Sequence, residues 1–191
     1  MRRNVIVISG TPGVGKTAVA KELAKRLNAI YVNLTELVLE KKLYVGYDSE
    51  RDSYVIDEDK VKKEILKISK RNPDKCIIID SHYGELTPRE VLVRIFILRC
   101  DPRTLAQRLK RKGWKKEKIR ENVQAEILGV CTVNALKEYE VNLVYEIDNT
   151  NRQVEEVVNE IINVLRSRNK EKPSFIDWLT ILTPDELADY I

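Results

Sequence analysis

The stretch that decides the fold is VISGTPGVGKT, residues 7–17, in which three glycines and a proline separate an apolar run from a lysine. The residues before Gly10 are apolar and β-branched, which is typical of a buried strand. Residues 16–27 place apolar side chains at helical spacing. The sequence therefore predicts a strand, a glycine-rich turn and a helix in that order.

The turn fits the pattern G-x-x-x-x-G-K-[ST] from Gly10 to Thr17. Glycines let the backbone wrap closely, so that successive N–H groups face an anion near the positive end of a helix. In such a loop Lys16 reaches the β- and γ-phosphates, and the Thr17 hydroxyl ligates Mg²⁺. We therefore predict a site for a magnesium-bound nucleoside triphosphate.

Composition indicates one domain with small appendages. The chain has 191 residues, of which 43% are hydrophobic, and a formal charge of +4. That charge is too small to indicate nucleic-acid binding from composition alone. No apolar run approaches the roughly 18 residues that span a bilayer, so we expect no membrane contact. Cys76, Cys100 and Cys131 show no metal-ligand spacing, which favours free thiols and a cytoplasmic location.

Strand and helix patterns alternate along the chain, which predicts an α/β fold with a largely parallel sheet of five strands. The predicted strands are Asn4 to Ser9, Ala29 to Val32, Cys76 to Asp80, Val93 to Leu98 and Leu143 to Ile147. The predicted helices are Lys16 to Leu27, one through Glu36 and Leu39, Asp57 to Lys70, Pro102 to about Lys112, a long one from about Glu117 to Tyr139, and Gln153 to Arg166.

Three segments depart from the alternating pattern, two within the core of residues 1–166 and one after it. Residues 30–58 form a helical insertion whose tyrosine-rich part breaks the pattern, and it could close over an acceptor. The basic residues 110–121 form a short lid that could close over the donor phosphates. Residues 167–191 are predicted to be a charged linker and an amphipathic tail, with a capped helix start at Thr183.

A second candidate element of the site is Asp80, at the end of the buried strand CIIID. A strand-terminal carboxylate of this kind holds the Mg²⁺ shell, usually through water, although some strands end in Asp for capping alone. His82, the only histidine, follows two residues later. It either packs structurally or orients water or an attacking phosphate.

The basic lid suggests further contacts. Arg108 and Lys112 share a helix face and are the candidates for phosphate contact, while Trp114 could lie over an adenine ring. Most of the other basic residues are expected to form a solvated face, and the same patch would suit RNA phosphates. The sequence has no N-K-x-D guanine-reading motif, which favours adenine.

Several stretches together resemble the adenylate kinase isoenzyme 6 family, also called CINAP, over residues 4–166. They are, in chain order, GTPGVGKT, NLTEL, LYVGYDSERD, VIDEDKV, IIIDSHYGELTPRE, KRKGWKKEKIRENVQAEI and DNTNR. The resemblance implies a three-layer P-loop nucleoside monophosphate kinase fold, ATP as donor, AMP or related monophosphates as acceptors, and ATPase activity. It also implies a role in late maturation of the small ribosomal subunit, together with a platform ribosomal protein.

The resemblance also implies roles for individual residues. Asp80 and His82 match a pair that handles metal and water, Asn33 falls in the monophosphate-binding region, and Arg152 matches a basic residue near the adenine. The triphosphate site corresponds to Gly13, Gly15, Lys16, Thr17 and Ala18.

Two residues depart from the family pattern. Leu39 stands where the family often has an arginine that binds the acceptor phosphate, and Lys112 replaces an arginine before the lid glycine. Lysine keeps the charge but loses the two-pronged hydrogen bonding of arginine. Two functions therefore remain open: a kinase for nucleoside monophosphates, and an assembly factor switched by ATP hydrolysis.

Overall fold

The central feature of the fold is a five-stranded parallel sheet, as predicted. The structure, a computed structural model, describes residues 3–49, 53–167 and 174–190. Its strands are β1 Val5–Ser9, β2 Ile30–Asn33, β3 Tyr44–Asp48, β4 Ser53–Ile56, β5 Ile77–Asp80, β6 Leu92–Arg99 and β7 Val144–Asp148. The parallel sheet has the order β2-β5-β1-β6-β7.

Helices cover both faces of this sheet. They are α1 Lys16–Arg26, α2 Leu34–Lys41, α3 Glu58–Arg71, α4 Pro102–Arg111, α5 Lys116–Ile127, α6 Val130–Glu138, α7 Val154–Arg166 and α8 Pro184–Ala188. Side chains alternate along β1: Ile6 and Ile8 pack with α1, α4, α5 and α7, whereas Val5 and Val7 pack with α2, α3 and α6. The fold therefore has the three predicted layers, with one hydrophobic core on each face.

The insertion after β2 is only partly helical, so our prediction for it was incomplete. After α2, the strands β3 and β4 form an antiparallel hairpin, and residues 50–52 between them lie outside the described part of the chain. Tyr47 lies opposite Tyr54 with ring centroids 5.2 Å apart, and Tyr44 contacts the Tyr54 ring at 4.4 Å. Such cross-strand aromatic pairs stabilise a sheet, which explains why this tyrosine-rich segment is extended.

The long helix predicted from about Glu117 to Tyr139 is wrong, because the structure divides it into α5 and α6. The break is at Gly129, whose φ of 60° is left-handed. Glycine adopts this conformation without the steric cost of a Cβ atom. The chain can therefore leave α5 on one face of the sheet and begin α6 on the other.

The described part of the tail, residues 174–190, packs against the core. Trp178 and Leu182 are buried in the cluster that contains α1, α4, α5 and α7. Thr183 caps α8 as predicted, since its side chain accepts a hydrogen bond from the Glu186 N–H. Residues 168–173 of the predicted linker lie outside the described residues. None of the described helices is long and apolar enough to cross a bilayer.

We predict that Gly129→Ala lowers the free energy of unfolding by about 1–2 kcal/mol, because a Cβ atom is strained at left-handed φ. The change is measured by urea denaturation. The control is Gly46→Ala, since a Cβ atom there meets nothing within 4 Å and its φ is not left-handed. It should stay within about 0.5 kcal/mol of the parent chain. Equal effects of the two substitutions would contradict the assignment of Gly129 as the helix break.

Candidate functional site

The glycine-rich loop follows β1 at the carboxyl edge of the sheet, between the ends of β5 and β6. Gly10 and Gly15 have φ values of 135° and 108°, which favour glycine. A Cβ atom at Gly10 would lie 2.3 Å from the Leu98 carbonyl oxygen, and one at Gly15 would lie 2.7 Å from Asn149 Nδ2. The loop thus lies at the crevice where open α/β sheets bind ligands.

Two side chains from outside the loop hold its backbone. Asn149 Nδ2 donates to the Val14 carbonyl at 2.6 Å, and Arg108 Nη1 donates to the same oxygen at 3.4 Å. Arg108 Nη2 also donates to the Asn149 carbonyl at 3.3 Å. Arg108, a predicted phosphate contact, therefore lies directly beside the loop.

Lys16 begins α1 and turns back over the loop. Its Nζ donates to the Thr11 carbonyl at 3.0 Å. Burial lowers the pKa of the Lys16 amino group below its usual value, and the nearby Cys131, Asp80 and Glu126 oppose that shift. Lys16 is half-buried, and an ammonium group partly removed from water interacts more strongly with an anion than a fully exposed one.

Asp80 ends β5 next to the loop and is 4% exposed. Its Oδ2 accepts hydrogen bonds from the Thr17 hydroxyl at 2.7 Å and from the Tyr31 hydroxyl at 3.0 Å. Burial, with the charge of Asp80, raises the pKa of Tyr31 to about 12. Tyr31 therefore stays a hydrogen-bond donor at neutral pH. The structure thus brings the two predicted magnesium ligands into direct contact.

Oxygen ligands of this kind suit Mg²⁺, which usually binds one or two protein groups together with phosphates and water. Thr17 and Asp80 fit that pattern, because their oxygens already lie 2.7 Å apart beside the loop. Within the described residues, no group of three or more His, Cys, Asp or Glu side chains could hold a metal ion by itself.

A pocket of about 240 Å³ opens next to His82, between α2, the hairpin and the chain after β5. Leu39, noted above as a departure, lines this pocket and is 44% exposed. None of the described residues that line it is Lys or Arg. They are Leu34, Thr35, Val38, Leu39, Ser53, Tyr54, Ile56, Ser81, His82 and Tyr83.

His82 is half-buried and contacts the Tyr83 ring, with the centroids 3.9 Å apart and the ring planes tilted by 44°. Burial lowers the pKa of His82 to about 4, and the positive charge of Lys16 acts in the same direction. The charge of Asp80 opposes both effects. The imidazole is therefore neutral at neutral pH and retains a nitrogen that can accept a proton.

The remaining predicted residues lie around the site at different places. Asn33 caps α2, because its side chain accepts a hydrogen bond from the Glu36 N–H. Lys112 is the C-terminal capping residue that follows α4 and is exposed. Ala18 lies on the first turn of α1, where it is also exposed.

Trp114 is half-buried, with Lys118 Nζ 5.7 Å from its ring centroid. Arg152 donates to the Asp148 carbonyl and forms an ion pair with Glu160 at 2.7 Å. That guanidinium is therefore held by its own loop and by α7 rather than by the glycine-rich loop.

Sequence reasoning missed four residues that support the loop or its acid: Thr11, Tyr31, Glu126 and Asn149. Thr11 donates to Glu126 at 2.6 Å, and the other contacts are given above. Asn149 lies within the stretch DNTNR, which carried a clear signal as part of the resemblance. Glu126 likewise lies within the stretch KRKGWKKEKIRENVQAEI of the resemblance, but neither stretch indicates the contact partner. Tyr31 carried no local signal, because its partner is distant in the sequence.

A glycine-rich loop after the central parallel strand, followed by a lysine at the start of a helix, defines a P-loop protein. The family model of an AAA domain matches residues 6–129. A protein of Methanocaldococcus jannaschii named "Putative adenylate kinase" is 42% identical over 91% of this chain and 92% of its own length. The chain belongs to this AAA-domain family and, within it, to the group of archaeal proteins that carry that name.

The tail is included in this similarity. A Pyrococcus furiosus protein of the same name is 38% identical over 187 residues, which cover 98% of this chain and 97% of that protein. Because so few residues of this chain remain outside that alignment, most of residues 167–191 are aligned. The similarity thus extends beyond residue 166, where the resemblance noted from the motifs ended.

Similar solved structures support the fold. A shikimate kinase from Bacteroides thetaiotaomicron matches with a TM-score of 0.54 and 16% identity, over 85% of this chain and 98% of that one. A shikimate kinase from Aquifex aeolicus matches with a TM-score of 0.53 and 16% identity, over 86% and 96%. At this identity the likeness shows the architecture alone.

We predict that the imidazole of His82 does not titrate in the folded, magnesium-free protein between pH 7.5 and 5.5, because its pKa is lowered to about 4. As the chain has one histidine, a single Cε1–H proton resonance reports it in NMR spectra. The same resonance in urea should titrate near pH 6.5, the usual value. A folded-state midpoint near 6.5 would contradict the described environment of His82.

Proposed function

We propose that the chain is a nucleoside monophosphate kinase that transfers the γ-phosphoryl group of ATP to AMP or a related monophosphate. The observation that supports this most strongly is the arrangement of the glycine-rich loop, Asp80 and the pocket beside His82 along one edge of the sheet. A donor site and an acceptor site would then adjoin. The names of the archaeal relatives support the same activity.

At the donor site, the loop amides at Gly13 and Gly15 would cradle the phosphates, with Ala18 in the helical turn behind them. Lys16 would leave the Thr11 carbonyl and bind the β- and γ-phosphates. Thr17 would hold Mg²⁺ directly and Asp80 through water. The metal neutralises the phosphate charge when bound. Tyr31 would keep the Asp80 carboxylate oriented towards that position.

At the acceptor site, α2 and the hairpin would enclose the monophosphate. Asn33 ends β2 and caps α2, and it pairs in register with Asp80 at the end of β5. His82 lines the pocket, and Lys16 is near enough for its charge to lower the pKa of His82. The neutral imidazole would donate its N–H to the attacking phosphate oxygen and so orient it.

The basic lid and its neighbours would complete the donor site. Arg108 already lies beside the loop and would contact the γ-phosphate. Lys112 would add positive charge as the lid closes. Trp114 and Arg152 would contact the adenine, from the lid and from the chain after β7 respectively.

A second function is supported by the chemistry of the acceptor pocket. Its described lining contains no lysine or arginine, and Leu39 occupies the position where the resemblance led us to expect an arginine. Weak binding of an acceptor phosphate would make ATP hydrolysis the main activity. In that case the chain would act as a nucleotide-switched assembly factor in late maturation of the small ribosomal subunit, in the cytoplasm. A platform ribosomal protein would be its partner, and the lid would contact pre-rRNA.

We predict that Lys16→Ala lowers ADP formation from ATP by at least about 100-fold, with or without AMP, because it removes the main cation at the transferred group. A coupled ADP assay measures both rates. The control is Lys25→Ala, an exposed lysine on the same helix, which should keep full activity. Unchanged turnover in Lys16→Ala would defeat the donor-site assignment. In the parent chain, AMP-dependent ADP formation supports the kinase, and AMP-independent formation supports the hydrolytic switch.

We predict that Leu39→Arg lowers the KM for AMP about tenfold, since a hydrogen bond to a charged group contributes about 1.5 kcal/mol. The KM for ATP should not change, because Leu39 lines the acceptor pocket and not the donor site. Val45→Arg adds the same charge on an exposed position of the hairpin and serves as the control. If both variants lower the KM for AMP equally, general charge attraction rather than this pocket is responsible.

A further inference from the structure

The tail reaches a buried carboxylate that also serves the glycine-rich loop. Trp178 is 4% exposed, and its indole Nε1 donates to Glu126 Oε1 at 3.1 Å. Glu126, near the end of α5, is 1% exposed and accepts further hydrogen bonds on the same oxygen from Arg99 Nε and the Cys100 N–H. One buried oxygen is therefore held by three donors, one of which belongs to the tail.

The other carboxylate oxygen of Glu126 points to the loop. The Thr11 hydroxyl donates to Oε2 at 2.6 Å, and Thr11 is 2% exposed. The Thr11 carbonyl in turn accepts from Lys16 Nζ and from the Val14 N–H at 3.3 Å. Two side-chain hydrogen bonds through one carboxylate thus connect Trp178 to the residue that holds the loop lysine.

The tail backbone completes the same network. The Ile176 N–H donates to Glu146 Oε2 at 2.6 Å, and Arg99 Nη1 donates to the Ile176 carbonyl at 3.2 Å. Arg99 pairs with both Glu126 and Glu146, so that one guanidinium faces two buried carboxylates. Because a buried carboxylate is costly without hydrogen-bond donors, the N–H groups of the tail compensate for the second negative charge.

Two further contacts attach the tail to the helices on either side of the lid. Arg103 on α4 pairs with Glu186 at 3.1 Å, and Arg120 Nε on α5 donates to the Tyr190 carbonyl at 3.3 Å. These contacts lie at the surface and contribute little by themselves. They attach the tail to α4 and α5, and Trp178 is buried in the cluster that contains residues of both helices.

We propose that the tail supports the nucleotide site, and that Trp178 is a positioning residue that fixes the glycine-rich loop through Glu126 and Thr11. This proposal rests on the nucleotide binding inferred under the proposed function and assigns a role to residues outside the loop itself. With Trp178 in place, Glu126 has one orientation and presents Oε2 to Thr11. Without the indole N–H, Glu126 is less restrained, and the Thr11 backbone loses its fixed position beneath Lys16.

The test uses the full chain with Trp178→Phe, which removes the N–H but keeps an aromatic ring in the core. We expect the dissociation constant for magnesium-bound ATP, measured by calorimetry, to rise about fivefold, a usual magnitude for coupling between sites. Amide hydrogen exchange of residues 10–17 without nucleotide should become faster. Ile181→Ala, a 53% exposed apolar position in the same segment, is the control and should change neither quantity.

A double-mutant cycle separates positioning from general stability. Thr11→Val removes the hydroxyl at nearly constant shape and should weaken binding to a similar extent, whereas Thr11→Ser retains the hydroxyl and should bind like the parent chain. The double variant of Trp178→Phe and Thr11→Val should bind no more weakly than the weaker single variant, because both break the same connection.

Three results would overturn the proposal. The first is a lower melting temperature in Trp178→Phe with unchanged ATP affinity and unchanged hydrogen exchange in residues 10–17. The second is additivity of the two single effects on ATP affinity in the double-mutant cycle. The third is a loss of ATP affinity in Ile181→Ala equal to that in Trp178→Phe. If the parent chain itself fails to bind magnesium-bound ATP, the proposed function fails together with this inference. A binding parent chain with an unaffected Trp178→Phe variant defeats only the inference.

Discussion

The whole site depends on the parallel pairing of β1 with β5. In this register Ile8 lies opposite Asp80, so the end of the first strand and the acid of the fifth strand reach the same edge of the sheet together. Parallel strands place their carboxyl ends on one side, where helices begin with free N–H groups. The Thr17 hydroxyl can therefore meet the Asp80 carboxylate across 63 residues of sequence. A slip of one residue would turn Asp80 to the other face and separate the two.

The parts of the site that could be predicted are those whose structure is determined by residues within one short stretch of sequence. The glycine-rich loop, Lys16 and Thr17 follow from local pattern, and the five parallel strands follow from the alternation of apolar runs and helical periods. Gly129 was present in the sequence, but a single glycine within a helical period does not by itself reveal a left-handed φ. The hairpin could not be predicted because its tyrosines lie among polar residues without clear alternation, whereas their pairing across two strands stabilises it.

Contacts between distant residues could not be predicted in this way. Asn149 holds the Val14 carbonyl from 135 residues away, and no feature of either neighbourhood indicates the partner. The same holds for Arg99, Glu126 and Glu146, which are ordinary charged residues in the sequence and form a buried network in the fold. Burial by itself lowers the pKa of the Arg99 guanidinium, but the two carboxylates more than offset this and raise it. Such networks often contribute more to a unique arrangement than to stability.

The support of the glycine-rich loop by later residues has a consequence for biosynthesis. Chains emerge from the ribosome N-terminus first, so residues 10–17 leave the exit tunnel long before the partners that hold their backbone. Glu126 lies about two thirds of the way along the chain, and Asn149 and Trp178 belong to its last third. The loop is thus among the first segments to be synthesised and among the last to reach its final shape. A nascent chain that ends before residue 178 therefore carries the complete glycine motif without all of the side chains that hold it in the folded protein.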